Sequence, residues 1–197
     1  MKSKLLFVLL AGTLSATTAF ADSGDYNRYK MGAPCPEGFL ESINNEFGPG
    51  TSAETTCIAK RDQIRDVLNM STAVLNPKSG ISQTLNNAVL MIQNYKNVYG
   101  ITIGDDLKIN IVAHFQGGQF LLTDDAYNKL KGVTTGNPSG ATVRSLLAQG
   151  VHIYMCQNTM RGNGWKTADL IEGVEQVPGG VVAVEDFAQT GWAVITP

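Results

Sequence analysis

The sequence predicts an α/β sandwich built on a mainly parallel sheet of four to five strands. Three observations carry that expectation. The candidate strands are short, continuous apolar runs such as "LKINIVAHF" and "VHIYMC". Such runs belong to strands covered on both faces rather than on one. They alternate along the chain with segments whose apolar residues recur at helical spacing, the pattern of parallel strands joined by helical crossovers.

Element by element, "IRDVLNM" (64–70) reads as the first strand. In "PKSGISQTLNNAVLMIQNYKNVYG", Ile81, Leu85, Ala88, Val89, Ile92, Tyr95 and Tyr99 fall on one helical stripe, and Gly100 ends it. A second strand over 107–115 has the apolar core Ile109, Ile111, Val112 and Ala113. A short helix follows within "GGQFLLTDDAYNKLKG", then a Gly/Asn/Pro/Ser loop over 132–140. "ATVRSLLAQG" places Val143, Leu146 and Leu147 on one stripe and leads straight into the strand "VHIYMC". "QNTMRGNG" reads as a polar, glycine-broken turn. A short helix begins near Thr167 as an N-cap, "VEQVP" is a short strand, "VVAVEDFAQTG" a helix and "WAVIT" a last strand.

The ends of the chain differ from this core. Residues 1–21 have a basic start (Lys2, Lys4), the apolar run "LLFVLLAGTL" and small residues Ala19 and Ala21, the pattern of a secretory signal peptide cleaved after Ala21. The apolar run is about half the ~20 residues that span a bilayer, so no membrane anchor is expected. Residues 22–60, rich in Gly, Pro, Asn and Ser, read as an irregular extension, leaving 61–197 as the domain. A net charge of −2 without a basic cluster argues against a nucleic-acid partner. The expected location is periplasmic or secreted.

Three cysteines in an oxidising compartment leave one thiol over. Cys35 and Cys57 share the polar N-terminal segment with a short intervening loop, which favours their pairing. Such a bridge removes roughly 3 kcal/mol of unfolded-chain entropy. The alternative, Cys57–Cys156, would consume the remaining thiol.

Cys156 ends an apolar strand, where a cysteine is most often a small buried hydrophobe. Against that stand its place at the strand's end, the free N–H groups expected of "QNTMRG", with Asn158 among them, and the nearby positive charge of Arg161. Surroundings of this kind lower a thiol's pKa, and the thiolate is the nucleophile. His114 ends the neighbouring candidate strand and could face Cys156 as base or imidazolium partner. Taken alone, it is better explained by a hydrogen bond to a loop carbonyl. The glycine pairs Gly117–Gly118 and Gly179–Gly180 each follow a strand and could open anion-binding turns, but neither matches a phosphate-binding fingerprint. No ligand set has metal spacing, so neither metal nor cofactor is expected.

The "VAH–x–G" stretch after a strand, the "GV–x–Y–x–CQNT" strand and the closing "G–W–A–V–I–x–P" resemble the DsrE/DsrF-like family of sulfur-relay proteins, in its branch of small stand-alone domains. The likeness runs over roughly residues 62–197. It implies a flavodoxin-like three-layer sandwich, assembly as a homo-oligomer, and a cysteine that carries sulfane sulfur as a persulfide. On this chain Cys156 takes the strand-end place and His114 the matching strand motif. Partners would be a sulfur donor or acceptor protein or a small inorganic sulfur compound. Two functional expectations follow. Either Cys156 carries sulfur in an exported protein, or the chain is a non-catalytic oligomeric binding module whose Cys156 is structural. Thiol–disulfide exchange is disfavoured because no resolving cysteine lies nearby. The apolar residues Phe115, Phe120 and Leu121 are the sequence's own hint of an interface.

Overall fold

The computed structural model describes residue 35 and residues 37–57, 63–104 and 106–197. The leader read over residues 1–21 lies outside them. Among the described residues, no helix is long and apolar enough to cross a membrane. The elements run α1 (Glu37–Phe47), α2 (Thr51–Glu54), β1 (Ile64–Met70), α3 (Gln83–Tyr99), β2 (Leu107–Ala113), a 3₁₀ segment (Phe115–Leu121), α4 (Asp124–Lys131) and α5 (Gly140–Ala148). They continue with β3 (His152–Cys156), α6 (Gln157–Asn163), a 3₁₀ turn (Thr167–Asp169), β4 (Glu175–Val177), α7 (Gly180–Gln189) and β5 (Ala193–Ile195).

The five strands form one sheet in the order β4-β3-β2-β1-β5, and every neighbouring pair is parallel. From β1 to β4 the chain steps in a single direction across the sheet. Right-handed crossovers then stack the intervening helices on one face. The step from β4 to β5 reverses direction, and the same handedness sends α7 to the opposite face. The result is a three-layer sandwich, the flavodoxin-like α/β arrangement, with unequal outer layers.

The thick layer covers the main core. From the sheet come Leu68, Met70, Ile109, Ile111, Ala113, Ile153 and Met155, all at most 1% exposed. Leu85, Ala88 and Ile92 of α3 and Val143 and Leu146 of α5 pack against them. The helical stripe read from sequence therefore faces inward, and Gly100 ends α3 with a left-handed φ of 68°. The 3₁₀ segment inserts Phe120 and Leu121, which are 1% and 0% exposed. These two, read as interface residues, are core, and only Phe115 of that group faces solvent.

Three further expectations need correction. The extension over 22–60 is not irregular throughout, because α1 and α2 form within it. Phe39, Ile43 and Phe47 recur every four residues, a helical period hidden by surrounding Gly, Asn and Ser. Asn44 of α1 clamps α2 by donating to Ser52 Oγ at 2.8 Å and accepting from Ser52 N at 2.9 Å. The Cys35–Cys57 disulfide, with Cα atoms 5.0 Å apart, joins the chain two residues before α1 to the chain three residues past α2. Second, β2 stops at Ala113 rather than 115, because Phe115 turns the backbone left-handed at φ 48°. Third, "QNTMRGN" is helix α6, not a turn. Thr159 and Met160 are buried, and left-handed Gly164 caps the helix.

The 3₁₀ segment leaves β2 through a gap that admits no side chain at Gly117. A Cβ there would lie 2.1 Å from the Met70 carbonyl oxygen. Gly117→Ala should therefore destabilise the protein by roughly 1–3 kcal/mol or more, the range for overpacking a core. Gly162 sits inside α6 with nothing within 4 Å of such a Cβ. Gly162→Ala should stabilise by roughly 0.5–1 kcal/mol through helix propensity. Urea denaturation of the two variants checks both signs.

Candidate functional site

Parallel strands end together, so their carboxyl edge collects what each strand carries last. The register pairs Asn69 with Val112 and Ala113 with Met155, which brings His114 level with Cys156 across adjacent strand ends. By the two-residue alternation of strands, Asn69, His114 and Cys156 share the α7 face of the sheet. His114 is 5% exposed and Cys156 4%. Cys156 is the free cysteine, with its partners in sequence joined to each other.

The first residue of α7 locks the two together. A Cβ on Gly180 would lie 2.6 Å from His114 Cβ and 3.1 Å from Cys156 Cβ, so only glycine fits. That approach allows the Gly180 N–H to donate to Cys156 Sγ at 3.1 Å. Cys156 is also the N-cap of α6. The sulfur thus faces the starts of two helices, where unpaired N–H groups and the helix dipoles favour negative charge.

Thr159 completes this field. Its Oγ accepts the Phe115 N–H at 2.9 Å, which leaves the hydroxyl proton free for the sulfur. Burial pushes the Cys156 thiol up. The Thr159 N–H and hydroxyl and the N–H groups of Gly180 and Asn158 outweigh it, holding the thiol below its ordinary value. Backbone amides and one hydroxyl favour the thiolate here. Arg161 does not line the site. It donates to Asn158 Oδ1 at 2.6 Å on the exposed side of α6.

His114 lies in a different electrostatic position. Its Nε2 donates to Asn69 Oδ1 at 2.6 Å, while Asn69 Nδ2 reaches Thr196 Oγ1 at 3.5 Å. That arrangement assigns the proton to Nε2 and a lone pair to Nδ1, which is buried and has no hydrogen-bond partner. Burial lowers the imidazole's pKa. His114 therefore stands at neutral pH as an uncharged ring, which suits a base and not an imidazolium partner for the thiolate.

The group opens to a cavity of about 430 Å³, with Cys156, His114, Asn158 and Thr159 in its wall. Its rim is apolar: Phe115 is 66% exposed, Val182 63% and Val181 58%. Phe115 holds its left-handed backbone against the usual steric preference, a strain of the sort that gathers at working sites. Among the residues read from sequence, the structure gathers Cys156, His114 and Asn158. Gly117 is packed against Met70 rather than lining the cavity. Sequence reasoning missed Thr159 as a participant, because its role depends on a contact with Phe115 across 44 residues. Among the described residues, no three His, Cys, Asp or Glu side chains converge as metal ligands.

Two measurements test this electrostatic account. Thr159→Val removes the hydroxyl, and Gly180→Ala displaces the N–H donor. Each should move the midpoint of pH-dependent Cys156 alkylation upward. For His114, the unfolded ring binds a proton below its ordinary value of 6.5 while the buried ring resists it. Stability should therefore fall as pH drops below 6.5, by at most about 1.4 kcal/mol per pH unit from this one group. His114→Gln should flatten that slope in denaturation curves taken across the range.

The model of the DsrE/DsrF-like family matches residues 70–197, a span from the end of β1 through β5 that includes His114, Cys156, Thr159 and Gly180 and begins just after Asn69. No curated protein matches the chain. Among solved structures, MTH1491 from Methanobacterium thermoautotrophicum, described as a protein of unknown function, is 26% identical. It aligns over 68% of this chain and 99% of its own, with a TM-score of 0.47. The ychN protein from E. coli is 18% identical over 68% of this chain and 100% of its own, with a TM-score of 0.48. With the family model covering most of its length, the chain belongs to the DsrE/DsrF-like family.

Proposed function

We propose that this protein handles sulfane sulfur, with Cys156 as the carrier. Membership of the family points to sulfur relay at the level of the family. The observation that carries the assignment to Cys156 is the set of donors aimed at its sulfur, led by the Gly180 N–H at 3.1 Å. A purely packing cysteine has no use for donors that stabilise its anion.

In the proposed step, the Cys156 thiolate attacks the outer sulfur of a persulfide donor, R–S–SH. A new S–S bond forms at Cys156, the donor's S–S bond breaks, and its electron pair leaves as R–S⁻. The terminal sulfur keeps its proton or passes it to a base, for which His114 Nδ1 is the nearest candidate in kind. Sulfur moves without an external oxidant. Delivery to an acceptor thiol is the same displacement in reverse.

The second reading, an oligomeric binding module with a structural Cys156, is favoured by the low exposure of that residue, 4%. The two readings part on reactivity. Under either, the apolar rim formed by Phe115, Val181 and Val182 suits self-association. The Cys35–Cys57 bridge and the leader-like residues 1–21 support action in an oxidising compartment outside the cytoplasm.

Intact-mass analysis after incubation with polysulfide decides the matter. Wild type should gain whole sulfur atoms that a thiol reductant removes, and Cys156→Ser should gain none. Native alkylation of Cys156 should proceed with a midpoint below that of an ordinary thiol. A thiol that reacts only after unfolding, together with no mass gain, would establish the structural reading.

A further inference from the structure

Among the described residues, the layer formed by α7 leaves part of the sheet uncovered at the end opposite Cys156. There, a cavity of about 630 Å³ opens between the amino-terminal halves of β2 and β3 and the far end of α7. Its volume lies in the range of small-molecule sites. Its wall includes Asn110, Tyr154, His152, Phe187 and Trp192, with Lys108 as its ammonium-bearing residue.

Asn110 is the informative residue. It sits on a central strand, 4% exposed, beside the fully buried Val112. Among the described residues its side-chain amide makes no hydrogen bond, yet it lines the cavity. Its amide nitrogen and oxygen are not among the fully buried polar atoms that lack a partner, so in this otherwise covered residue they open to the cavity. The amide is therefore oriented to a guest, water or ligand, in that cavity.

The aromatic residues define the kind of guest. Tyr154 and Phe187 have ring centroids 5.8 Å apart, and Phe187 and Trp192 stand edge to face at 5.1 Å. Tyr154 also stacks on His152, with centroids 6.3 Å apart and ring planes nearly parallel. This is a continuous aromatic shelf, half-buried in a monomer. The shelf's acid is already committed: Glu175 Oε1 lies 2.8 Å from His152 Nδ1. Lys108 is exposed at the margin.

We infer that this cavity is a second binding site, for a small planar aromatic ring with a hydrogen-bonding edge for Asn110 and an anionic group for Lys108. Ring faces contribute through stacking on Tyr154, Phe187 and Trp192. The amide supplies one donor and one acceptor for the polar edge. The site is independent of Cys156, since the two cavities share no wall residue.

The test uses the full chain and the probe 4-hydroxybenzoate, followed by saturation-transfer NMR and titration. Cyclohexanecarboxylate, of equal charge but without a π face, is the comparison. The expected result is saturable binding of the aromatic acid, at least tenfold weaker for the saturated one. Asn110→Leu and Trp192→Leu should each weaken binding at least fivefold, with circular dichroism confirming the fold. Cys156→Ser should bind as wild type does, which separates this site from the sulfur chemistry. Equal binding of the two acids, binding unaffected by both variants, or no binding of the probe would overturn the inference. Burial of the cavity by a second copy of the chain would show as loss of probe binding on association, and would overturn it equally.

Discussion

The reversal of winding between β4 and β5 is the constraint on which the rest of this structure depends. Three crossovers in one direction place their helices on a single face, and handedness leaves no choice about it. The fourth crossover runs back across the sheet and must lay its helix on the other face. Because α7 is the one crossover helix on that face among the described residues, its amino terminus can drop onto the carboxyl edge of β2 and β3. Gly180 reaches His114 and Cys156 for that reason, and the sulfur receives its N–H donor. Among the described residues, the same arrangement leaves the aromatic shelf around Tyr154 and Trp192 open to a cavity.

The two titratable groups of the site are tuned in opposite senses by different means. Helix amides and a hydroxyl make the sulfur anion easier to form, and burial makes the imidazolium harder to form. The outcome is a thiolate-favouring pocket whose wall, among the described residues, holds no lysine or arginine. Under the proposed function, a pocket of that design suits a nucleophile that must attack sulfur and then let it go. A neighbouring cation would bind the anion and the leaving group alike, and so hold back release.

Much of this was legible before any coordinates. The strands of the thick core announce themselves as apolar runs, and α3 as a stripe from Leu85 to Tyr99. The place of Cys156 at a strand end, level with His114, followed from the expectation of a parallel sheet. What escaped notice shares a physical cause. The period of α1 is carried by three residues in a glycine- and asparagine-rich background. Helix α6 carries one glycine at 162 and is capped by another at 164, a breaking signal overridden by what the helix packs against. Thr159 and Gly180 act through contacts between elements far apart in sequence, which no local pattern encodes. Phe120 and Leu121 looked like surface because a 3₁₀ segment buries residues at a spacing that neither strand nor helix periodicity describes.

Gly180 carries a consequence for how such a site can change over generations. The position is closed to every side chain, so the contact that activates the sulfur offers nothing for selection to vary by degrees. The rim is the reverse: Phe115, Val181 and Val182 face outward with little to constrain their size. Inheritance can therefore redesign what approaches the thiol while leaving the means of its activation untouched. Diversity in a lineage built on this plan should collect at the mouth of the pocket, around a floor that is either kept whole or lost outright.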